Sequence, residues 1–331
     1  MRNRLIHPDH IAPLPRLPYN ANHIAHNGKE IEMTLRTIAI LSPGDMGHGV
    51  GKALSEHGYD VITCLAGRSQ RTKDLAAAGG FRDTESLDEM VSQADLIMSI
   101  LVPAEAMGVA EDVADALRAT GLSRTFADCN AVSPQTARRM ESAIDDAGGE
   151  YIDGGIIGGS PARGATPRIY TSGPGAGIMD ELDGKGISVR NLGPEIGRAS
   201  GIKMCYASMT KGTSALRVAM LTTAQSLGLY DELVAELSFS QQGPLSAMES
   251  GVPGLPANAG RWIGEMEEIA ATFDAAGVTP HFHQGAAEIF RLLASTPFAD
   301  ESPETIDRDR SLEETIRVTS EYLPSLMQSA D

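Results

Sequence analysis

The sequence predicts a doubly wound α/β domain built on a parallel sheet, followed by an all-helical domain. Short apolar runs alternate with helical patterns from Thr34 onward. Those runs are continuously apolar, the mark of strands buried on both faces of a parallel sheet. Beyond residue 192 strand-like runs stop, and helical segments divided by Pro and Gly take over. With 331 residues the chain has room for two domains.

Residues 1–33 carry Pro8, Pro13, Pro15 and Pro18 and show no apolar period. They read as a leader that is either disordered or an upstream extension mis-called ahead of Met33 as the natural start, with a docking arm as the less favoured alternative. Thr37–Leu41 (TIAIL) is the first strand, and residues 46–58 form a helix. A second strand spans 60–65 and a second helix 72–78. A third strand, 95–102 (DLIMSILV), precedes a helix over 104–119. Thr125–Asp128 is a short strand, and residues 133–147 a helix opened by Ser133-Pro134, a favourable first pair. Residues 151–153 close the alternating series, and 187–192 form one more strand. Alternation of this kind implies right-handed crossovers. Residues 194–227 read as one long helix. Breaks at Gly243-Pro244, residues 251–256 and Thr279-Pro280 divide the remainder, and 297–310 is an acidic exposed loop. The expected division is a leader (1–33), an α/β domain (34–193) and a helical domain (194–331).

Composition narrows the function. A formal net charge of −17 disfavours nucleic acid and anionic membrane surfaces as partners. The sequence has no apolar run long enough to span a bilayer and no secretory signal, so a cytoplasmic protein is expected. Cys64, Cys129 and Cys205 match no metal or disulfide spacing and read as buried free thiols. His281 and His283 supply too few ligands for a metal site.

Directly after the first strand stand Ser42, Pro43, Gly44, Asp45, Met46 and Gly47. A strand-to-helix turn that binds a dinucleotide needs glycine for a tight turn, for close approach to the pyrophosphate and for close helix packing. The helix N-terminus then offers N–H groups and a positive dipole end. Gly44 and Gly47 fit the second and third glycines, while Ser42 stands at the first. In this context the turn predicts a Rossmann-type dinucleotide site. The second strand ends without the acid that binds a ribose 2′-hydroxyl; Arg68 and Arg71 follow instead. Two readings stand: a 2′-phosphate site, which favours NADP with NAD possible, or two solvated arginines.

Four further segments complete the pattern: residues 101–103 (LVP), 128–134 (DCNAVSP), 153–159 (DGGIIGG) and 197–203 (GRASGIK). With the phosphate turn they make the chain resemble the 3-hydroxyacid dehydrogenase superfamily, which includes 6-phosphogluconate and 3-hydroxyisobutyrate dehydrogenases. More narrowly it resembles a branch of phosphogluconate-dehydrogenase-like proteins with a distinct C-terminal helical domain. The resemblance runs from about residue 37 to 293.

It implies a nicotinamide-dependent dehydrogenase or reductase acting on CH–OH groups. Leu101, Val102 and Pro103 would lie by the nicotinamide ribose. Asn130 stands where the family has a Ser that touches cofactor and substrate. Gly158 and Gly159 would hold a substrate carboxylate through backbone amides, and Ile157 replaces a Ser there. Lys203 would be the general acid/base. Read from its residues alone, a lysine among Ile202, Met204, Cys205 and Tyr206 either snorkels or is functional. The family's Asn, four residues on, is Ala207 here, and Tyr206 is expected to take over its contact with substrate. Lys211, two turns from Lys203, reads as a surface charge or, less favourably, as an alternate for the proton role. Arg261 and Glu265 are i,i+4 neighbours and are expected to pair.

The expected activity is hydride transfer between NADP and a small hydroxy or oxo acid. Alternatives are a reductase of imines or less acidic ketones, and an NADP(H)-binding sensor without turnover. A homodimer or higher homo-oligomer built on the helical domain is the expected assembly.

Overall fold

The computed structural model describes residues 35–302 and 305–323. The expectations for the leader and for the last residues lie outside these.

The strands are β1 (Thr37–Leu41), β2 (Asp60–Cys64), β3 (Arg82–Thr84), β4 (Leu96–Ser99), β5 (Thr125–Asp128), β6 (Glu150–Ile157), β7 (Arg168–Ser172) and β8 (Ser188–Asn191). They form one sheet in the order β3-β2-β1-β4-β5-β6-β7-β8. Every pairing is parallel except β6 with β7, which is antiparallel. The chain starts at β1 and winds outward both ways, so the carboxyl ends of β1 and β4 flank the crevice where such sheets bind ligands.

The crossover helices are α1 (Asp45–Glu56), α2 (Gln70–Ala78), α3 (Leu87–Gln93), α4 (Pro103–Thr120) and α5 (Pro134–Asp145). They pack on both faces of the sheet. One core layer gathers Ile38, Ile40, Val50, Leu96 and Met98. The other gathers Ala39, Leu41, Ile97, Val113 and Phe126. Alternate residues of β1 thus go to opposite layers, as strand geometry requires. Ser133 accepts a bond from Thr136 N at the start of α5, with Pro134 in the first turn, as the Ser-Pro pair predicts.

Three elements were not read from the sequence. β3 and α3 are too short for a period to show, and β7 alternates because it lies near the sheet edge. β6 is also longer than the expected 151–153.

The helical domain comprises α6 (Arg198–Ser226), α7 (Tyr230–Ser240), α8 (Gln242–Gly251), α9 (Pro256–Ala275), α10 (His281–Ala294) and α11 (Leu312–Glu321). Its core includes Met204, Val218, Leu221, Met266, Phe290 and Ile316. α6 begins four residues later than the expected 194, because Gly197 sits at φ 99° and turns the chain into the helix. The loop expected over 297–310 contains a short 3-10 turn at Pro297–Asp300. Buried Arg310 is bonded there to Glu301 and to the Pro253 carbonyl. Cys129 is buried as expected, but Cys64 is half-buried and Cys205 is exposed. Cys205 corrects the expectation: its apolar neighbours lie along the helix sequence, not around its side chain.

Two carboxylates tie the helical domain to the sheet. Asp153, buried on β6, accepts bonds from Gly197 N (2.9 Å), Ala199 N (3.0 Å) and Ser200 N (3.1 Å) at the start of α6. The Ser172 hydroxyl donates to the same oxygen at 2.8 Å. Glu268 on α9 accepts from Ser133 N at 2.6 Å and from the Thr136 hydroxyl at 2.9 Å, capping α5. Both place negative charge at a helix N-terminus, where free N–H groups and the helix dipole stabilise it. Replacing Asp153 with Ala orphans three buried donors. Since each orphan costs about 1–3 kcal/mol, Asp153→Ala is expected to lose about 3 kcal/mol or more in denaturant unfolding, with Asp153→Asn intermediate.

Candidate active site

A cavity of about 410 Å³ opens between the sheet's carboxyl edge and the helical domain. At one end lies the turn after β1. Ser42 has φ 56°, a left-handed conformation that favours glycine, and is alone in this among described non-glycine residues. It therefore occupies a glycine position in backbone terms. Gly44 starts α1 with no side-chain cap, and a Cβ built on it meets nothing within 4 Å. The first-turn N–H groups of α1 are thus left for another acceptor. A Cβ on Gly47 would lie 3.3 Å from Ile40 and 3.5 Å from the Ile100 carbonyl, so glycine lets α1 pack close on the strands. Ser42, Gly44, Asp45, Met46 and Arg68 line the cavity. A dinucleotide pyrophosphate fits this end: an uncapped helix start, open backbone and a nearby guanidinium.

Arg68 and Arg71 differ. Among the described residues no hydrogen bond or ion pair engages the Arg68 side chain, which lines the cavity. Arg71 is bound to Asp45 at 2.5 Å, and Arg163 approaches the other Asp45 oxygen at 3.8 Å.

In the middle of the cavity, Leu101, Val102 and Pro103 enter α4 and line the wall with Asn130. Asn130 is buried, and its amide is engaged. It donates to Ser99 Oγ (2.8 Å) and Asp128 Oδ1 (2.5 Å), and its oxygen accepts from Leu101 N at 2.6 Å. It joins the ends of β4 and β5 and gives the wall its shape. Burial pushes the Asp128 carboxyl up to about 7, against the pull of its bonds from Asn130.

At the far end lies Lys203, with its side chain 14% exposed. Its place follows from the backbone. Asp153 holds the start of α6, and Gly155 lets α6 touch β6: a Cβ there would lie 2.9 Å from both the Ala199 carbonyl and Lys203 Cβ. Lys203 Nζ is 3.7 Å from Glu265 Oε1, and Lys211 Nζ is 2.7 Å from the same oxygen. Trp262 covers the group, with Lys211 Nζ 5.6 Å from its ring. Desolvation lowers the Lys203 pKa below the ordinary lysine value; Glu265 raises it and Lys211 lowers it further. Such a lysine releases a proton more readily than one in water.

Several expected site residues fall elsewhere. Tyr206 is 43% exposed and does not line the cavity. It follows Lys203 by three residues but lies on an outward stripe of α6 with exposed Ile202, Met209 and Leu216. Ile156, not Ile157, lines the wall, and Gly158 lines it while Gly159 does not. Glu265 pairs with the lysines of α6 in place of Arg261, which stands at the cavity beside Trp262. Lys211 is no surface charge: its side chain is 17% exposed and faces the cavity. The signal for it was present. Met204, Ala207, Lys211, Ala215 and Val218 recur at helical spacing, and the other four are core residues. His283 packs edge-on against Phe273, away from the site.

The described part of the cavity carries four cationic side chains against three carboxylates, in a chain of net charge −17. A positive, partly desolvated hollow of this kind concentrates anions.

Fold and site together define a nicotinamide-dinucleotide-dependent dehydrogenase or reductase. The NAD-binding domain of 6-phosphogluconate dehydrogenase matches residues 37–179, and a domain of unknown function (DUF1932) matches residues 224–293. The chain is 29% identical over 195 residues to an uncharacterized 28.5 kDa protein of Methanothermus fervidus, covering 58% of this chain and 74% of that one. It is 23% identical over 254 residues to an NAD-dependent L-serine dehydrogenase of Pseudomonas aeruginosa, covering 73% and 80%. A solved conserved protein of unknown function, described as structurally similar to 3-hydroxyacid dehydrogenases, superposes with a TM-score of 0.57 at 29% identity. That match covers 78% of this chain and 96% of the other. The chain thus carries an NAD-binding domain of the 6-phosphogluconate dehydrogenase type followed by a helical C-terminal domain, and is similar to the oxidoreductases built on that pair.

Glu265 sits between two ammonium groups, so its charge sets how easily Lys203 deprotonates. Glu265→Gln is expected to lower the Lys203 pKa further, since it removes the charge that raises it. The rate of Lys203 acetylation by acetic anhydride, followed by peptide mass spectrometry against pH, measures this without a substrate. Only the neutral amine reacts, so labelling should begin at lower pH in the variant.

Proposed function

We propose that the chain is an NADP-preferring oxidoreductase that interconverts a small hydroxy acid and its oxo acid, with Lys203 as general acid/base. The observation that carries this reading is a buried lysine at one end of a cavity whose other end is a phosphate-binding turn. The bound cofactor supplies the carbon that gives or takes hydride. The first turn of α1 and Gly44 hold its pyrophosphate, Arg68 pairs with its 2′-phosphate, and residues 101–103 pack against its nicotinamide ribose. Lys203 then gives a proton to the substrate oxygen during reduction, or takes it during oxidation. Its positive charge also stabilises the charge that develops on that oxygen. Gly158 and the shaped surface of Asn130 bound the substrate's space. The cation excess at the Lys203 end supports an acidic substrate, as does the L-serine dehydrogenase relative.

A second reading, reduction of imines or less acidic ketones, is favoured by Ile156 on the cavity wall and by buried Ala207 in place of an amide. One assay separates the readings. Turnover is measured with NADPH and NADH on hydroxy acids, oxo acids, neutral ketones and imines, beside Lys203→Ala. A drop of about 10²–10⁴-fold in the variant, with cofactor affinity kept, is expected. Turnover that survives moves the proton role to Lys211. Firm cofactor binding with no turnover on any compound favours a sensor.

We also propose that the chain is a homo-oligomer. Ile202, Tyr206, Met209 and Leu216 are exposed along α6 at spacings of four, three and seven, the pattern of a helix seam awaiting a partner helix. Beside it runs an apolar groove against α10, rimmed by exposed Phe282. Light scattering is expected to give a dimer or larger species, and Leu216→Glu with Met209→Glu is expected to give monomer.

A further inference from the structure

Arg68, Lys203, Lys211 and Arg261 are the cationic side chains that line the described cavity. Arg68 lies at its phosphate end, Lys203 is the proposed proton carrier, and Lys211 is bound to Glu265 at 2.7 Å. Arg261 has no part in that chemistry. It stands in the second turn of α9. α9 lies against the start of α4, where a Cβ built on Gly264 would be 3.9 Å from Ala104 Cβ. That contact sets Arg261, Trp262 and Glu265 on the cavity wall with residues 101–103. The Arg261 guanidinium carbon lies 5.8 Å from the centre of the Trp262 ring, which in turn meets Phe290 edge-on. An aromatic face held in this way gives a guanidinium a fixed neighbour.

Among the described residues no hydrogen bond or ion pair engages the Arg261 side chain. The carboxylates near it are committed elsewhere: Glu265, its i,i+4 neighbour, is bound by Lys211, and Asp45 by Arg71. Glu105, which also lines the cavity, makes no ion pair with it. Arg261 is exposed, yet the protein around it desolvates it enough to lower its pKa, against the pull of Glu265 and then of Asp45. Both hold for a group on the wall of a hollow. A partly desolvated cation with no counter-charge of its own is costly, and an anion entering the hollow removes that cost. The anion could come from the cofactor's phosphates or from a substrate's acid group. The surroundings favour the substrate. Glu265 acts on Arg261 more strongly than Asp45 does, which draws Arg261 toward the lysine end. Desolvation lowers the Lys203 pKa first, and the charges of Lys211 and Arg261 lower it further, so Arg261 is within electrostatic reach of Lys203.

We propose that Arg261 receives the acid group of the substrate: its planar fork binds both carboxylate oxygens, while Lys203 meets the reacting oxygen of the same small molecule. This rests on the reading of the chain as a hydroxy-acid oxidoreductase with Lys203 as proton carrier. Arg261 is then the residue that selects acids over neutral compounds of the same shape. Trp262, which has Arg261 and Lys211 near its ring, walls that end of the substrate's space.

The test uses the full-length protein and binding alone. Calorimetry measures dissociation constants for oxalate, malonate and succinate, and for malonamide as the neutral counterpart, with and without saturating NADP+. The best of the three acids is expected to bind the wild type about tenfold or more tighter than malonamide. Arg261→Gln is expected to lose about ten- to hundredfold of that acid affinity, and Arg261→Lys to recover part of it. NADP+ affinity is expected to stay within about twofold. Denaturant unfolding of both variants is expected to match the wild type, since the Arg261 side chain makes no hydrogen bond within the described residues. Acid affinity that is unchanged in Arg261→Gln overturns the proposal, as does failure of all three acids to bind the wild type. A loss of NADP+ affinity as large as the loss for the acids overturns it too, since Arg261 would then serve the cofactor's phosphates. Failure of the underlying reading shows separately, as turnover that survives Lys203→Ala. The three acids carry no alcohol or ketone carbon, so their binding is read without turnover.

Discussion

The site depends on the carboxylate of Asp153. It lies within the sheet, on β6, and meets the first N–H groups of α6. A helix of 29 residues ends there in orphan donors and a concentration of positive potential. Burying that end against an apolar strand would be costly; burying it against a carboxylate satisfies donors and charge together. Burial raises the Asp153 pKa while the bonds from α6 and Ser172 lower it. Because the contact fixes the axial position of α6, it also fixes Lys203, which follows Ser200 by less than one turn. Gly155 sets the distance to β6 and Asp153 sets the register.

The same logic appears at α5, where Glu268 from α9 caps the helix. Two carboxylate-to-helix contacts pin α6 to the sheet and α9 to α5. Lys203 and Lys211 come from α6, and Glu265 comes from α9. Their meeting on one oxygen is a result of that pinning. A buried ammonium without a partner would shed its proton or leave for solvent. Here one carboxylate serves two ammonium groups unequally, at 2.7 and 3.7 Å. The closer pairing is a direct ion pair, and the longer one leaves Lys203 room to face a substrate.

Much of the α/β layer was legible in the sequence. Buried parallel strands write themselves as continuous apolar runs, and the turn at 42–47 needed glycine for local reasons. Lys203 was legible as a lysine in an apolar stretch, then as a family position. Glu265 could not be paired with Lys211 in the same way. They lie 54 residues apart, and only the packing of α9 on α6 joins them. Tyr206 was misplaced because three residues on a helix share a side only approximately: a step of about 300° was enough to carry it out to the exposed stripe. Asn130 lines the cavity, and sequence could not show that Ser99, Asp128 and Leu101 take up its amide hydrogens and one lone pair of its oxygen. Arg68 and Arg71 look alike in sequence for a similar reason, yet Arg68 lines the cavity and Arg71 does not.

A difference in construction explains why reaction type is easier to read here than substrate. The phosphate turn and the placement of Lys203 rest on backbone features: glycines at 47 and 155, and helix starts at α1 and α6. Such features leave a mark in sequence because few residues can replace glycine at a close approach. The substrate end is instead walled by side chains of α4, α6 and α9 and by the end of β6, with Val102, Ile156, Lys211, Arg261 and Trp262 among them. Any of these can change without moving the backbone. The shape of the phosphate turn and the position of Lys203 are therefore properties of the backbone, while the lining of the other end is a property of a few side chains laid over it. The lining found there joins an apolar wall on one side to a cation excess on the other, and both are set by side chains alone.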